Sequence, residues 1–284
     1  MFEMNSLPQR PKSSVINFFW IIVLATIILA SFVFTNSNPF LLFSINSLSS
    51  MGEFLKGFLS PELSFNFIFS TFKPILLTIQ LATAGVIIAV IIGFPMAFFA
   101  SRNFFLPGPL TDGDPRIKYW IKTLHYFPYI VSRTILNLMR SIPELIWALL
   151  FVRILGLGPE AGIMAIGIAY AGIVGKVFSE ILENTESNGI QALRSIGVSR
   201  PKIVLFSILP SATKNLVSYI LYRWECAMRA AAILGFVGAG GIGQEIEISM
   251  RMFDYSKSAT LIIELFLLVS LTDLISGYIR RKIS

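Results

Sequence analysis

The residues of this chain best suited to chemistry form two short constellations. One joins Glu225 and Arg229, four residues apart, to the run GFVGAGGIG from Gly235 to Gly243; the other sets Arg140 and Glu144 around Pro143. The spacing Gly238-x-Gly240-x-x-Gly243 matches a fingerprint that cradles a dinucleotide pyrophosphate. That chemistry requires a strand before the glycines, a helix after them and an acidic residue about 20 positions further on. The preceding stretch, ILPSATKNLVSYILYRWECAMRAAAILGFV, is too long and too apolar for a strand. The glycines therefore need another explanation. His125 is the only histidine and Cys226 the only cysteine, so neither a metal cluster nor an internal disulfide is available. With no P-loop and no nucleophile spaced to a base, the chain offers no catalytic residue, no metal site and no cofactor of its own.

The elements that must position these residues follow from composition. Over 284 residues the chain is 55% hydrophobic and 13% aromatic, with mean hydropathy +0.73. A soluble domain reaches about half apolar only when glycine is counted, so the expected class is an all-α integral membrane protein. A hydrocarbon layer about 30 Å thick needs ~20 helical residues to cross it. Six segments qualify: Val15 to Phe34, Pro74 to Ala100, Tyr129 to Leu155, Glu160 to Leu182, Ile203 to Phe236 and Ala259 to Ile279. The first is too long for a signal-peptide core and lacks a small-residue cleavage site, so it reads as a retained span.

An even number of spans puts both termini on one side. With that side cytoplasmic, fourteen basic residues lie inside, among them Arg194, Arg200, Lys202, Arg280, Arg281 and Lys282. Only Lys56, Lys73, Arg153, Arg251 and Lys257 lie outside. The asymmetry fits the positive-inside rule and accounts for the net charge of +7 without nucleic acid. The outer segment from Thr35 to Lys73, with Pro39, Pro61 and Pro74 as breakers and a short helix near Met51 to Phe58, divides the chain. It separates an N-terminal part, residues 1–72, from a five-helix core, residues 73–284. The inner loop from Ser101 to Phe127 contains the turn-rich run LPGPLTDGDPR. No internal repeat is evident.

Ionisable groups at membrane depth are costly and face a bundle interior or a water-filled path. At 100° per residue, Ser211, Asn215, Ser218, Tyr222, Glu225 and Arg229 fall within an arc of about 80° on the fifth span, extending over roughly 27 Å of helix. Two readings follow: one wall of a translocation path, or a packing face on which Glu225 and Arg229 neutralise each other. Arg140 and Glu144 are also four apart, but Pro143 should kink or break the helix between them. A salt bridge fixing the bundle and a lining for a cavity both remain open, as does direct anion binding by Arg140 or Arg229.

The inner segment 183–205 carries a short helix with Ile190, Leu193 and Ile196 along one apolar edge, ended by Gly197 and Pro201. It is expected either to dock on another protein or to lie on the membrane surface.

This loop resembles the coupling motif of ABC importer permeases, in which E-A-A, three residues, G, nine residues and I-x-L-P follow in order. The matching positions are Gln191, Ala192, Leu193, Gly197, Leu209 and Pro210. Gln191 stands in place of the glutamate, Leu193 of the second alanine and Ser207 of the isoleucine. The runs RSIPELIWALLFVRILGLGPEAG, GKVFSE and YRWECAMRAAAILGFVGAGGIG are similar to permeases of the phosphonate and phosphite uptake family. With the loop they cover the chain from about residue 72 to its end.

The resemblance implies a type I importer permease fold in a bacterial inner membrane, paired with a second copy of itself. It also implies two cytoplasmic ATPase subunits that bind ATP and Mg, and an extracytoplasmic binding protein. The helix near Gln191 to Gly197 would then transmit ATPase closure. The solute would be phosphonate or a related oxyanion such as phosphite, with phosphate or another small solute as the alternative within the class. An ion-coupled transporter or channel acting alone is the alternative outside it. In either case the topology places Gly238, Gly240, Gly241 and Gly243 beyond the outer end of the fifth span, as a tight re-entry beside a gate.

Overall fold

The computed structural model describes residues 15–35, 44–105, 119–185 and 187–283, and every regular element among them is a helix. The basic tail with Arg10 and Lys12, Pro39, the run 106–116 and the side chain of His125 lie outside the described residues. The chain divides into two compact units, Met1–Lys56 and Gly57–Ser284. In the first, α1 (Val15–Phe34) is apolar along its whole length, and its residues from Phe18 onward are almost all exposed. A helix that is hydrophobic all round and uncovered by protein is suited to lipid. The short helix expected near Met51 is α2 (Ile45–Leu59), which begins six residues earlier.

The second unit consists of α3 (Phe65–Ala100), α4 (Arg102–Phe105), α5 (Tyr119–Ser141), α6 (Glu144–Leu155), α7 (Pro159–Glu183), α8 (Ser187–Ser195), α9 (Arg200–Ile203), α10 (Leu209–Leu234), α11 (Ile242–Arg251) and α12 (Tyr255–Ile283). Among the described residues, four helices are long and apolar enough to cross a membrane, or five if the bent pair α5–α6 counts as one span. The apolar α1 is a shorter addition. Pro74, expected to break the chain, lies inside α3, and residues 65–72 form that helix's first two turns. Spans tolerate such prolines because neighbouring helices re-satisfy the freed backbone. At 36 residues α3 is about 54 Å long, well beyond the hydrocarbon thickness.

The expected third span, Tyr129 to Leu155, is not one helix. Tyr126–Ser141 and Glu144–Leu155 meet at 90°. Pro143, extended at φ −55° and ψ 145°, sits ahead of α6, where its missing N–H costs nothing, and its ring disfavours helical backbone at Ile142. The fifth segment begins three residues earlier than expected, at Arg200: a π-helical turn at Val204–Ile208 leads into α10, and beyond Leu234 the chain kinks, with non-helical backbone at Val237 and Gly238.

α7 is the central helix. About two thirds of its apolar window is buried, against a third or less for the other long spans. Small residues let α3 approach it closely: a Cβ at Gly93 would come within 2.9 Å of the Ala171 carbonyl oxygen. Without a hydrophobic drive between helices in lipid, this contact is what selects the pair. The main core gathers Leu81, Val86, Ile166, Tyr170, Met228 and Leu234 from α3, α7 and α10.

Candidate translocation path and docking helix

The polar arc of α10 is largely uncovered in the single chain. Ser211, Asn215, Tyr222 and Arg229 are exposed, and Ser218 is partly so. Lipid is a poor neighbour for such groups at membrane depth. Glu225 departs from the rest of the arc. It is buried, and its carboxylate receives Arg229 Nη2 at 3.0 Å and, from α12, Arg280 Nη2 at 3.7 Å. Arg280 also lies 3.8 Å from Asp273. The i,i+4 pair expected from the sequence therefore forms, and a third residue fifty-five positions downstream ties it to α12. The Arg229 side chain is half-exposed, so the pair sits at the rim of the arc with one charge covered and one uncovered.

Next to the arc, Arg223 is enclosed by aromatic rings. Its guanidinium carbon lies 5.6, 5.3 and 5.5 Å from the ring centroids of Tyr170, Tyr219 and Tyr222, and Nε donates to the Tyr219 hydroxyl at 2.8 Å. Tyr219, four residues before Arg223, could have been paired with it from helical spacing. Tyr170 comes from α7, which no local spacing reveals.

Arg140 and Glu144 do not pair. The 90° break separates their helices; Arg140, exposed at the end of α5, donates from Nε to Asn137 Oδ1 at 3.2 Å. Glu144 opens α6, where a carboxylate suits the positive end of the helix dipole. The broken helix is as the sequence indicated. A salt bridge across the break is not formed.

The glycine run forms a chain reversal. Val237 and Gly238 leave helical geometry, and Gly238, Gly240 and Gly241 adopt φ of +88°, +88° and +77°, values that disfavour any side chain. Gly243, at the start of α11, faces the α10 backbone so closely that a Cβ would lie 1.8 Å from the Ala232 carbonyl oxygen. The Ile242 N–H donates to the Thr78 hydroxyl at 2.9 Å and anchors the reversal to α3. Tight re-entry and close helix packing therefore explain all four glycines.

At the other end of the bundle, the carboxylate of Glu183, the last residue of α7, accepts from Arg133 Nη2 at 2.7 Å and from the Arg102 N–H at 2.8 Å. Arg133 Nε donates to the Ala100 carbonyl at 3.0 Å. This knot fixes α3, α4, α5 and α7 immediately before α8. α8 itself ends in a Schellman turn: Val198 N–H donates to Leu193 C=O at 3.1 Å and Gly197 N–H to Arg194 C=O at 3.0 Å, with Gly197 at φ +77°.

Pro201 is not a stop; it lies in the first turn of α9. The apolar edge of α8 is not exposed as a whole either. Ile190 is fully buried against Ile203 and Ile208, Leu193 packs on the same cluster, and Ile196 alone is open at 74% exposure. The surface offered to a partner is Gln191, Ala192, Ser195 and Ile196. Leu209 and Pro210 begin α10, and Leu209 packs on the cluster that holds Ile190.

The bundle thus presents a short helix beyond its long spans and a polar arc along one of them. Residues 125–284 match the family described as binding-protein-dependent transport system inner membrane component. This chain belongs to that family. The permease is 34% identical over 212 residues to the phosphite transport system permease protein PtxC of Stutzerimonas stutzeri, covering 75% of this chain and 70% of that one. It is 30% identical over 204 residues to the phosphate-import permease protein PhnE of Mycolicibacterium smegmatis, covering 72% of this chain and 35% of that one.

Among solved structures, an inward-facing form of the MetNI methionine ABC transporter is similar in fold. Its TM-score is 0.65 at 21% identity, covering 78% of this permease and all of the matched chain. The permease is thus a multi-pass membrane subunit of the type I importer fold, from a family that works with an ATPase and a binding protein.

Proposed function

We propose that this permease is the membrane subunit of an ATP-driven importer for phosphite, phosphonate or a related small phosphorus oxyanion. Two copies enclose the path, two cytoplasmic ATPase subunits bind ATP and Mg, and an extracytoplasmic binding protein delivers the solute. The permease hydrolyses nothing itself. The observation that carries this reading is the uncovered polar arc of α10 at membrane depth, because a second copy facing it would turn a costly lipid contact into a hydrated seam. The excess of basic residues on the α8 side supports a bacterial inner membrane with that side, and both termini, in the cytoplasm.

Gln191, Ala192 and Leu193, braced by Gly197 and by Leu209 and Pro210 at the base of α10, would couple to the ATPase. Asn215, Ser218, Tyr222, Glu225 and Arg229 would line the path, with Arg140 and Glu144 at the broken helix beside it. The glycines from Gly238 to Gly243 would sit at the outer gate. The phosphite transport relative supports the solute class, and the phosphate-import relative supports phosphate as the second reading.

Reconstitution of the permease with its ATPase and binding protein tests this. ATP hydrolysis should rise when the binding protein is loaded with phosphite or methylphosphonate, and less so with phosphate or sulfate. Solute uptake that persists without the ATPase would instead identify an ion-coupled carrier.

A further inference from the structure

We propose that Arg223, held by Tyr170, Tyr219 and Tyr222, is a binding site within the membrane for the PO3 face of the transported oxyanion; this rests on the importer reading above. Arg223 lies about 21 Å along α10 from Leu209 and roughly 16 Å from Leu234, hence near the middle of the span. Elsewhere on α10 the arginine charge is met by a carboxylate: Arg229, with Arg280 from α12, shares Glu225. Arg223 has none within 4.0 Å among the described residues.

Its Nε is committed to the Tyr219 hydroxyl, while Nη1 and Nη2 find no acceptor among the described residues. Four coplanar N–H donors are thus left in a fork whose geometry matches two oxygens of a tetrahedral anion. The ring faces offset part of the guanidinium charge but satisfy none of these donors. An anion or water must therefore complete them in the working protein.

The cage is braced by neighbouring rings and touches the path side through Tyr222. The Tyr219 ring is braced edge-on by Phe178, with centroids 6.2 Å apart, and tilted against Tyr222 at the same separation. Tyr222 belongs to the exposed arc, whereas Arg223, partly buried, lies about 80° beyond the arc's edge on α10 and reaches it through the Tyr222 ring. A single fork binds weakly, as a transit site must if the solute is to leave. Phosphite and alkylphosphonates share the PO3 group and differ in the fourth substituent. A fork that reads two oxygens and leaves that substituent in the open arc would accept both.

The test uses the permease–ATPase complex in phosphatidylcholine nanodiscs, without binding protein, titrated with inorganic phosphite. Wild type should bind phosphite saturably, with displacement by methylphosphonate. Arg223→Gln should weaken binding at least tenfold. Arg223→Lys retains the cation over the rings but loses the fork, so it should bind several-fold more weakly while assembling normally on size exclusion. It carries the test if the glutamine variant does not assemble.

No saturable phosphite binding in wild type, or unchanged binding in either variant, overturns the site. Nanodiscs containing phosphatidylglycerol address a lipid source: if Arg223→Gln reduces retention of that lipid but not phosphite binding, the site is a headgroup site and the proposal fails. A separate arm adds phosphite-loaded binding protein and reads ATP hydrolysis. Failure of that arm alone counts against the importer's solute, while the binding titration still decides Arg223.

Discussion

Replacing Gly243 and Gly277 in turn with alanine should move stability in opposite directions. At Gly243 the new Cβ would sit 1.8 Å from the Ala232 carbonyl oxygen, and real contacts are not seen below 3.0 Å, so the α10–α11 hairpin must open by about 1.2 Å. The obstacle is backbone, which cannot rotate aside as a side chain would. Overpacking of this kind costs about 1–3 kcal/mol, and a backbone clash belongs at the upper end. Opening the hairpin also strains the Ile242–Thr78 hydrogen bond that anchors it to α3. Gly277, inside α12, has nothing within 4 Å of the added carbon. There alanine gains the ordinary helix-propensity advantage of about 0.8–1 kcal/mol. With roughly 2–4 °C per kcal/mol, Gly243→Ala should lower the melting temperature in detergent by about 6–12 °C, and Gly277→Ala should raise it by about 2–4 °C. Tryptophan-fluorescence melts of the purified protein, with circular dichroism to confirm helix content, measure both. Gly243→Ala melting with wild type, or both variants shifting in the same direction, would refute the close-packed hairpin.

The remaining expectations concern charge and coupling. Glu225→Gln removes the charge shared by Arg229 and Arg280 and should cost about 1.5–3 kcal/mol, toward the lower figure because Arg229 is half-exposed; a melt indistinguishable from wild type would show the pair to be idle. Gly197→Trp places a large side chain where nothing lies within 4 Å. Beyond a modest backbone strain the isolated protein should tolerate it, whereas solute-stimulated ATP hydrolysis should be lost, and full stimulation would mean that α8 docks elsewhere. Cysteines at Asn215 and Ser218 should react with a small polar maleimide at rates that depend on nucleotide state; equal protection in every state would favour permanent packing of the arc. Asp254 accepts the Lys257 N–H at the start of α12, and its hydrogen bond and ion pair to the Lys257 side chain hold its pKa below the ordinary aspartate value. Its stabilisation is therefore complete above the unfolded pKa and fades as pH falls through the lowered folded one. Asp254→Asn keeps the cap, so its melting temperature should fall slightly less than that of wild type between about pH 6 and pH 3; a steeper acid loss in the variant would reverse that sign.

The parts of this fold that depend on local rules were legible in the sequence. Hydrophobic run length located the long spans, Pro143 marked the broken helix, and the spacing of Glu225 and Arg229 gave their ion pair. Gly197 was legible as the end of α8 because the left-handed backbone at that position favours glycine. What could not be read depends on residues distant in sequence. Arg280 reaches Glu225 from α12, Tyr170 reaches Arg223 from α7, and Arg133 meets Glu183 across fifty positions. Pro74 misled because proline breaks helices in water more reliably than inside a membrane, where packing restores what the ring removes. The edge of α8 misled for a related reason: its period of three showed an apolar face but not which neighbour covered it, and Ile190 is buried in the chain's own core.

That burial determines where a load on α8 goes. Ile190 and Leu193 pack on a cluster with Ile203, Ile208, Ala212 and Leu216, the residues that carry the chain into α10. Gly189 lies so close to Ser207 that a Cβ would meet its hydroxyl at 2.8 Å. α7 joins α8 directly in sequence, but its end is held in the Glu183 knot with α3, α4 and α5. Packed side chains resist compression, whereas a covalent link through a short turn does not transmit bending. Force applied to the exposed face of α8 is therefore borne by the base of α10 and, through Val174, Phe178 and Leu182 of the same cluster, by the last turns of α7. α10, so loaded, carries the polar arc and the Arg223 cage, and it lies between the π-helical turn at Val204–Ile208 and the kink at Val237 and Gly238. The candidate coupling surface and the candidate path are thus joined by packed side chains at the base of α10.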